Sequence, residues 1–210
     1  MALNTTPDSY TKLLIHSDTS DGITTFVDSS ANGHTITATN ANHATAQKKF
    51  GGSSMYFDGA SSGNYLSIPA TTDVEITGDF TFDCWFKKNQ VSVPSEEYFI
   101  SNMAAAVGFY IYLQTDHRIY LGHRVSSTEQ YVGFSITPDV SWHHLASVRA
   151  SGEWMFFLDG VKQTITYDDL PSARDTLALG TSTAAIWIGS ATTSSTRSWD
   201  GYLDEVRLSN

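Results

Sequence analysis

The stretch Phe109-Tyr110-Ile111-Tyr112-Leu113-Gln114 repeats its chemistry at every second residue. The aliphatic Ile111 and Leu113 alternate with Tyr110 and Tyr112. Successive side chains of a β-strand point to opposite faces, so a period of two is typical of a strand that buries one face. We therefore predict a strand at residues 109–114, with Ile111 and Leu113 facing a core and both tyrosines facing away.

The same period recurs on both sides of this stretch. Short alternating segments are separated by clusters of Gly, Asn, Asp, Ser and Thr, and no long segment has helical spacing. Thr115-Asp116-His117 links two of these segments, and Asp159-Gly160 is a tight-hairpin signal. The pattern predicts an all-β fold, a two-sheet antiparallel β-sandwich. The predicted strands are residues 12–16, 34–38, 54–57, 65–68, 80–87, 98–102, 109–114, 118–123, 130–136, 142–149, 154–158, 186–189 and 202–208.

Length and cysteine content are consistent with one sandwich domain. The chain has 210 residues, and we predict a polar leading segment or linker at 1–9 and the domain at 10–210. Cys84 is the only cysteine, and its apolar neighbours indicate a small buried side chain rather than a nucleophile.

No apolar run approaches the roughly 18–20 residues that cross a bilayer. The first residues also lack the basic and apolar regions of a secretory signal.

The charge balance narrows the classes of partner. The formal net charge is −10, from 12 basic and 22 acidic residues. A negative field of this size repels phosphate backbones, so we expect no nucleic-acid partner. The same field suits the binding of cations and of neutral ligands.

Five phrases of the sequence resemble the laminin-G-like, concanavalin A-like jelly roll of lectins, glucanase-like proteins and phage tail proteins. They occur in the expected order and span about residues 10–210. This resemblance implies a jelly-roll sandwich and, in many members, glycan recognition. The phrases are Asp28-Ser29-Ser30-Ala31-Asn32-Gly33-His34, the run 50–59 followed by 65–69, Phe80-Thr81-Phe82-Asp83-Cys84-Trp85-Phe86, Trp142-His143-His144-Leu145-Ala146 followed by 157–160, and the run 201–209.

A buried carboxylate suggests a calcium ion. In the strand at 202–208, alternation puts Asp204 on one face with Tyr202, Val206 and Leu208, at or near the core. A buried carboxylate needs a partner, and Ca²⁺ takes about six to eight oxygen ligands. In the alternative, Asp204 pairs with Arg207 or with a backbone amide.

The resemblance implies that the loop at 28–34 lies near the end of the chain. We therefore predict a Ca²⁺ site in which Asp28 and Asp204 supply carboxylate oxygens, while Asn32 and His34 supply backbone carbonyls. In the alternative, Asp28 only caps a turn through its side chain.

Three consecutive strands predict a tyrosine surface. Their aliphatic residues face the core, so the intervening tyrosines share the opposite, exposed face. Tyrosine suits sugars because its ring meets C–H groups while its hydroxyl reaches ligand oxygens. The alternatives are simple strand propensity or contact with another subunit, that is, self-association. The predicted carbohydrate-binding residues are Tyr110, Tyr112, Tyr120, Tyr131 and Arg124, with His123 beside Arg124 at the end of the face.

The neighbouring residues predict whether two of the tryptophans are exposed or buried. Trp199 lies beside a Ser/Thr-rich segment and is a candidate exposed platform for a sugar, whereas the alternation around Trp142 is more typical of a core residue.

Catalytic motifs are missing from the sequence. The Glu-x-Asp-x-x-Glu strand of glucanases of this broad fold does not occur, nor does Gly-x-Ser-x-Gly, His-Glu-x-x-His or a P-loop. We predict a non-catalytic carbohydrate-binding domain of a phage tail or surface protein, located on a virion or outside the cell. The alternatives are a structural or adhesive protein-interaction domain and a glycan-cleaving enzyme of the same fold.

Overall fold

A computed structural model describes residues 7–59, 63–74, 76, 78–104, 107–126, 128–170, 184–192 and 197–210. The strands in these residues follow the chain as β1 (Thr11–Ile15), β2 (Thr37–Thr39), β3 (Asn42–Ala44), β4 (Ser54–Asp58), β5 (Tyr65–Ile68), β6 (Phe80–Lys88), β7 (Glu97–Ser101), β8 (Gly108–Leu113), β9 (Arg118–Val125), β10 (Thr128–Ser135), β11 (His143–Ala150), β12 (Glu153–Leu158), β13 (Val161–Lys162), β14 (Tyr167–Asp168), β15 (Ile186–Ile188) and β16 (Asp200–Ser209). One short 3-10 helix, Thr72–Val74, also lies in the described chain. No helix in these ranges is long and apolar enough to cross a membrane.

The strands form two antiparallel sheets, which confirms the predicted β-sandwich. The first sheet has the order β13-β12-β11-β6-β16-β4-β3, and β1 pairs with β16 beside this path. The second sheet has the order β14-β10-β9-β8-β7-β15-β5-β2. Chain neighbours such as β8, β9 and β10 also pair in the sheet, so the three tyrosine-bearing strands lie side by side.

The core lies between the two sheets and follows the period-two pattern. On β6, Phe82, Cys84 and Phe86 are buried in this core. On β8, Ile111 and Leu113 meet them from the second sheet. Burial raises the pKa of the Cys84 thiol well above its ordinary value, as expected for a packed hydrophobe rather than a nucleophile.

Every predicted strand overlaps an observed one. The prediction missed β3, β13 and β14, which are only three, two and two residues long and so show no period. The hairpin signal is confirmed: Asp159 and Gly160 have φ of 52° and 78°, as a two-residue turn that matches the strand twist requires.

The prediction for the last strand was wrong in one respect. The pairing of β16 with β6 shifts register between Asp204 and Arg207, and Glu205 has φ of 51°. This β-bulge inserts an extra residue, so Leu203 and Val206 both face the core although they are three positions apart. Asp204 therefore does not share a face with Val206, contrary to the simple alternation.

A buried ion pair joins the sheets at one end of the core. Lys88 ends β6 in the first sheet, and its Nζ lies 2.6 Å from Oε1 of Glu97, which begins β7 in the second sheet. Both side chains are buried. Burial raises the pKa of Glu97 to about 7, and the neighbouring Lys88 ammonium acts in the opposite direction. Each of these two buried side chains is therefore the ion-pair partner of the other.

Candidate functional site

A row of tyrosines crosses the face of the second sheet that is turned away from the first sheet. Tyr98, Tyr112 and Tyr120 are direct cross-strand partners on β7, β8 and β9. Their rings stack in series, with centroids 5.0 Å and then 5.6 Å apart. Tyr110 and Tyr131 lie in the next row, with ring centroids 6.0 Å apart. Together with Tyr167 on the edge strand β14, these residues form what we call the tyrosine face.

Two glycines shape this face. Gly122 pairs with both Tyr110 and Tyr131, and a Cβ placed on it would lie 2.3 Å from the Tyr110 ring. Gly133 lies between Tyr120 and Tyr167, and its Cβ would lie 2.6 Å from the Tyr120 ring. Because glycine has no side chain, the tyrosine rings pack over the backbone at these positions and contact one another.

The structure places the four predicted tyrosines on one face but corrects their exposure. Tyr110, Tyr112 and Tyr120 are only 2%, 4% and 6% exposed, because the rings pack against each other. Tyr131 is partly buried, and Tyr167 is 41% exposed. The alternation of residue types along a strand predicts the face on which a side chain lies. It does not predict which neighbouring side chains cover that face.

Carboxylates at the rim hold the tyrosine hydroxyls. The hydroxyl of Tyr98 donates to Glu96 at 3.1 Å, and that of Tyr120 donates to Asp116 at 3.0 Å. Tyr131 donates to Glu129, and Tyr167 donates to Asp169 at 3.2 Å. The sequence analysis missed Tyr98, Tyr167 and all four carboxylates. A signal was present, since Glu96-x-Tyr98, Glu129-x-Tyr131 and Tyr167-x-Asp169 have the spacing that shares one face of a strand.

Three of these carboxylates also pair with arginines. Arg118 Nη1 lies 2.6 Å from Asp116, Arg197 Nη1 lies 2.9 Å from Glu96, and Arg124 pairs with Glu129. The predicted residue Arg124 thus lies at the tyrosine face, bound to a carboxylate. The rim consists of repeated hydroxyl–carboxylate–guanidinium groups.

His123 does not belong to the tyrosine face, contrary to the prediction. It is fully buried, follows Ile119 and Leu121 in the alternation of β9, and pairs with Phe109. The strand continues regularly to Val125, so His123 and Arg124 point to opposite faces. Burial lowers the pKa of His123, which favours the neutral imidazole in the core.

The buried phenols of Tyr98, Tyr110, Tyr112 and Tyr120 remain hydrogen-bond donors at neutral pH. Burial raises the pKa of Tyr98, Tyr110 and Tyr112 above the ordinary value, with further contributions from nearby carboxylates and phenols. The pKa of Tyr120 is raised as well, by burial and by Asp116. A protonated phenol presents a ring face, one O–H donor and an acceptor oxygen.

Asp28 satisfies its charge with protein donors. Its Oδ1 accepts from the amides of Leu14 and Ser30 at 3.0 Å and 2.9 Å. Its Oδ2 accepts from the Ser30 hydroxyl at 2.8 Å and the His34 amide at 2.9 Å, and lies 2.6 Å from His34 Nδ1. Although burial acts to raise it, these amide donors hold the pKa of Asp28 below its ordinary value. The turn-capping alternative therefore describes how this carboxylate is used.

Asp204 is satisfied in the same way at another place. It is fully buried, and its Oδ2 accepts from the amides of Lys49 and Phe50, both at 3.0 Å. Its Oδ1 accepts from the Glu205 amide at 3.0 Å, while Arg207 pairs instead with Asp83. Burial raises the pKa of Asp204 to about 6 despite these amide donors.

The carboxylates of Asp28 and Asp204, two of the four predicted calcium ligands, accept hydrogen bonds from different N–H donors of the protein. Among the described residues, no group of three or more His, Cys, Asp or Glu side chains has the arrangement of a metal site. A calcium ion would have to displace N–H donors from a carboxylate that accepts five contacts.

Neither tryptophan assignment holds. Trp199 is fully buried and packs in the core against Phe86 and Phe99, with centroids 5.7 Å and 4.5 Å away. It is therefore not a surface platform. Trp142, expected in the core, is partly exposed and lies 6.5 Å from the Tyr202 ring.

A second concave surface lies beside β1 and β16 in the first sheet. It is an open groove of about 1150 Å³. Its walls include Ile23, Val27 and Phe50, which are exposed hydrophobic side chains, together with the His16–Glu205 pair. The groove and the tyrosine face thus occupy different sheets.

Comparisons with solved structures show the same fold in binding proteins and in one domain of an enzyme. A structure of botulinum neurotoxin type C, studied for its interaction with two ganglioside molecules, has 11% identity and a TM-score of 0.68, and the match covers 95% of this chain and 47% of that one. The binding domain of botulinum neurotoxin DC in complex with SialylT has 14% identity and a TM-score of 0.66, with 95% and 47% covered. The chain therefore spans about half the length of these toxin chains.

Domain 4 of AbnA, a GH43 extracellular arabinanase from Geobacillus stearothermophilus, was solved in complex with arabinotriose. It has 17% identity and a TM-score of 0.66, and the match covers 96% of this chain and 94% of that domain.

Sequence comparison assigns the family. No curated protein matches the chain. A family model described as the concanavalin A-like lectin/glucanases superfamily matches residues 58–210. This match covers most of the chain and agrees with the observed sandwich and with the sequence resemblance. The chain belongs to the concanavalin A-like lectin/glucanase superfamily.

Proposed function

We propose that this chain is a non-catalytic carbohydrate-binding domain and that the tyrosine face is its binding surface. The observation that carries the proposal is the cross-strand tyrosine array, four of whose hydroxyls donate to a rim of carboxylates. The fold similarity to AbnA domain 4, solved with arabinotriose, supports the proposal. So does the similarity to toxin domains studied with ganglioside and with SialylT.

The chemistry of the face suits a sugar. Tyr131 and Tyr167 are its more accessible rings, and an aromatic ring packs well against the C–H groups of a pyranose or furanose. The buried rings of Tyr110, Tyr112 and Tyr120 pack edge-on against the Tyr131 ring and restrict its movement. Rigid aromatic groups lose little conformational freedom when a ligand binds, which favours affinity.

Aromatic substitution tests the proposal. Tyr131→Ala and Tyr167→Ala should each weaken retention on a glycan array by about tenfold, because each removes a ring that contacts the sugar. The matched control is Tyr10→Ala, since Tyr10 is 66% exposed and lies outside the tyrosine face. Circular dichroism should show that all three variants remain folded. Undiminished retention by both tyrosine-face variants would place the site elsewhere.

The competing hypothesis is that the chain is an enzyme of the same fold. One of the structures compared is a domain of a glycoside hydrolase. Release of reducing ends from polysaccharides would separate the two. Sustained release by the purified chain, lost on replacement of a rim carboxylate such as Glu96, would overturn the non-catalytic proposal.

Calcium stays a prediction of the sequence. Thermal unfolding in CaCl₂ and in EGTA tests it, because an ion that binds only the folded state raises the melting temperature. The hydrogen bonds to Asp28 lead us to expect the same melting temperature in both solutions. A melting temperature several degrees higher in CaCl₂, abolished by Asp28→Asn, would establish the ion and displace the turn-capping account.

The proposal also includes a location on a phage tail or on another biological surface, and this part rests on the sequence resemblance. Antibody labelling of purified virions from the source would test it. Labelling confined to the tail would support the role, whereas labelling of the host surface alone would favour an extracellular protein.

Self-association is a second proposal, supported by the exposed Val27 and Ile23 beside the groove. Light scattering of the purified chain measures its mass directly. A dimer that dissociates in Val27→Asp would support contact between copies at this groove, and a monomer at all concentrations would reject it.

A further inference from the structure

The arginines of the tyrosine face are already engaged by carboxylates. Arg118 Nη1 lies 2.6 Å from Asp116, and Arg197 Nη1 lies 2.9 Å from Glu96. Arg124 is paired with Glu129. Proteins usually grip an anionic sugar through a guanidinium that binds its carboxylate in a bidentate manner. Here, each guanidinium already lies against a protein carboxylate, which offsets its positive charge and competes with a ligand carboxylate for it.

The charge on this face is negative overall. The described rim has four carboxylates and three guanidinium groups, and the whole chain carries −10. A ligand carboxylate would enter a field of its own sign, which opposes association. The rim residues are Glu96, Asp116, Glu129, Asp169, Arg118, Arg124 and Arg197.

The rim offers four carboxylates as hydrogen-bond acceptors. The hydroxyls of four tyrosines already donate to Glu96, Asp116, Glu129 and Asp169, and an ionised carboxylate only accepts. Sugar hydroxyls are donors that match such oxygens, and charge-assisted O–H to carboxylate bonds are among the stronger ones. A sialic or uronic acid carboxylate has no proton to donate.

We propose that the tyrosine face selects uncharged oligosaccharides and rejects sugars that carry a carboxylate. This inference rests on the proposed carbohydrate-binding function and names its substrate class. The paired arginines hold the rim carboxylates in place and are not anion receptors.

A panel of immobilised glycans tests the selection. It should hold neutral arabino-, gluco- and galacto-oligosaccharides beside sialylated and uronate-containing ones, at about 20 mM and about 500 mM NaCl, where the Debye length shortens several-fold. We expect retention by neutral glycans only, with dissociation constants that agree within about twofold at both salt concentrations. Retention by anionic glycans that equals or exceeds neutral retention, and that weakens with salt, would overturn the inference and leave the binding function intact. No retention by any glycan would overturn the binding function and the inference together.

A charge variant gives an independent test. Glu96→Gln keeps the size of the side chain but frees Arg197 from its carboxylate, so it should shift the ratio of anionic to neutral retention by about fivefold or more toward anionic glycans. The matched control is Glu153→Gln, an exposed position at the start of β12 in the other sheet, which should leave the ratio unchanged. An unchanged ratio in folded Glu96→Gln would contradict the role assigned to the arginine pair.

Discussion

Some side chains of this domain pair with partners that are very distant in sequence. His16 near the start of the chain lies 2.8 Å from both carboxylate oxygens of Glu205 near its end. The hydrogen bond with Glu205 raises the pKa of His16, and partial burial opposes this change. Because Glu205 stands at a bulge with φ of 51°, its side chain is placed beside β1 by an irregular backbone.

The His16–Glu205 pair predicts a pH dependence of stability. A histidine whose folded pKa is raised contributes stability that is fully present below its unfolded pKa of about 6.5 and is lost as pH rises through the folded value. The difference in unfolding free energy between the natural chain and His16→Gln should therefore shrink between pH 5.5 and pH 8.5, by up to about 1 kcal/mol. Urea unfolding at both pH values measures it. The control is Thr115→Ser at an exposed turn, a change that involves no titratable group, so its effect should be the same at both pH values. A His16 pKa below 6.5 in an NMR titration would contradict the prediction.

At the scale of elements, the central strands of the second sheet differ in their two faces. Their inner face carries aliphatic residues of the core, and their outer face alternates tyrosine with glycine across β8, β9 and β10. The glycines are not turn residues here. They leave room for rings from neighbouring strands to lie across the sheet.

Gly122→Ala tests this packing. A methyl group there would lie 2.3 Å from the Tyr110 ring, so the ring must move, at a cost of about 1–3 kcal/mol. Backbone entropy alone would predict that Gly122→Ala stabilises the fold, because alanine loses less backbone entropy than glycine on folding. Chemical unfolding and the near-ultraviolet signal of tyrosine measure the effect. Gly78→Ala, with no atom within 4 Å of its Cβ, is the matched control and should be nearly neutral. Equal stability of both variants would show that the ring does not lie over Gly122.

For the whole molecule, the two sheets are held together by the apolar core and by one buried ion pair at its end. Lys88 and Glu97 come from different sheets, and both are about 1% exposed. A buried pair of this kind adds little net stability compared with apolar residues, but loss of one partner leaves an unpaired buried charge.

Lys88→Met should therefore destabilise the domain by about 3–5 kcal/mol, whereas Lys88→Met combined with Glu97→Leu should recover much of this loss. The single-variant penalty should be smaller at pH 5 than at pH 8. Burial raises the pKa of Glu97 to about 7 already, so without Lys88 the carboxyl becomes neutral at pH 5 and escapes the cost of a buried charge. Urea titrations of the single and double variants measure both effects. A single variant as stable as the natural chain would show that the pair is open to water.

Features that depend on local backbone geometry could be predicted from the amino-acid sequence. Alternation identified the strands and the shared face of Tyr110, Tyr112, Tyr120 and Tyr131, because the orientation of a strand side chain follows from its own backbone. The Asp159-Gly160 turn was equally local and was confirmed, and a family model confirmed the family resemblance over residues 58–210.

The burial and the hydrogen-bond partners of the site residues depend on the folded arrangement of the strands. The rings of the tyrosine face are covered by one another, and Asp204 is satisfied by the amides of Lys49 and Phe50, more than 150 positions away. The bulge at Glu205 placed Leu203 on the core face together with Val206, contrary to the predicted alternation. These outcomes depend on which strands become neighbours and on the space left between them. Periodicity along a single segment contains no information about either.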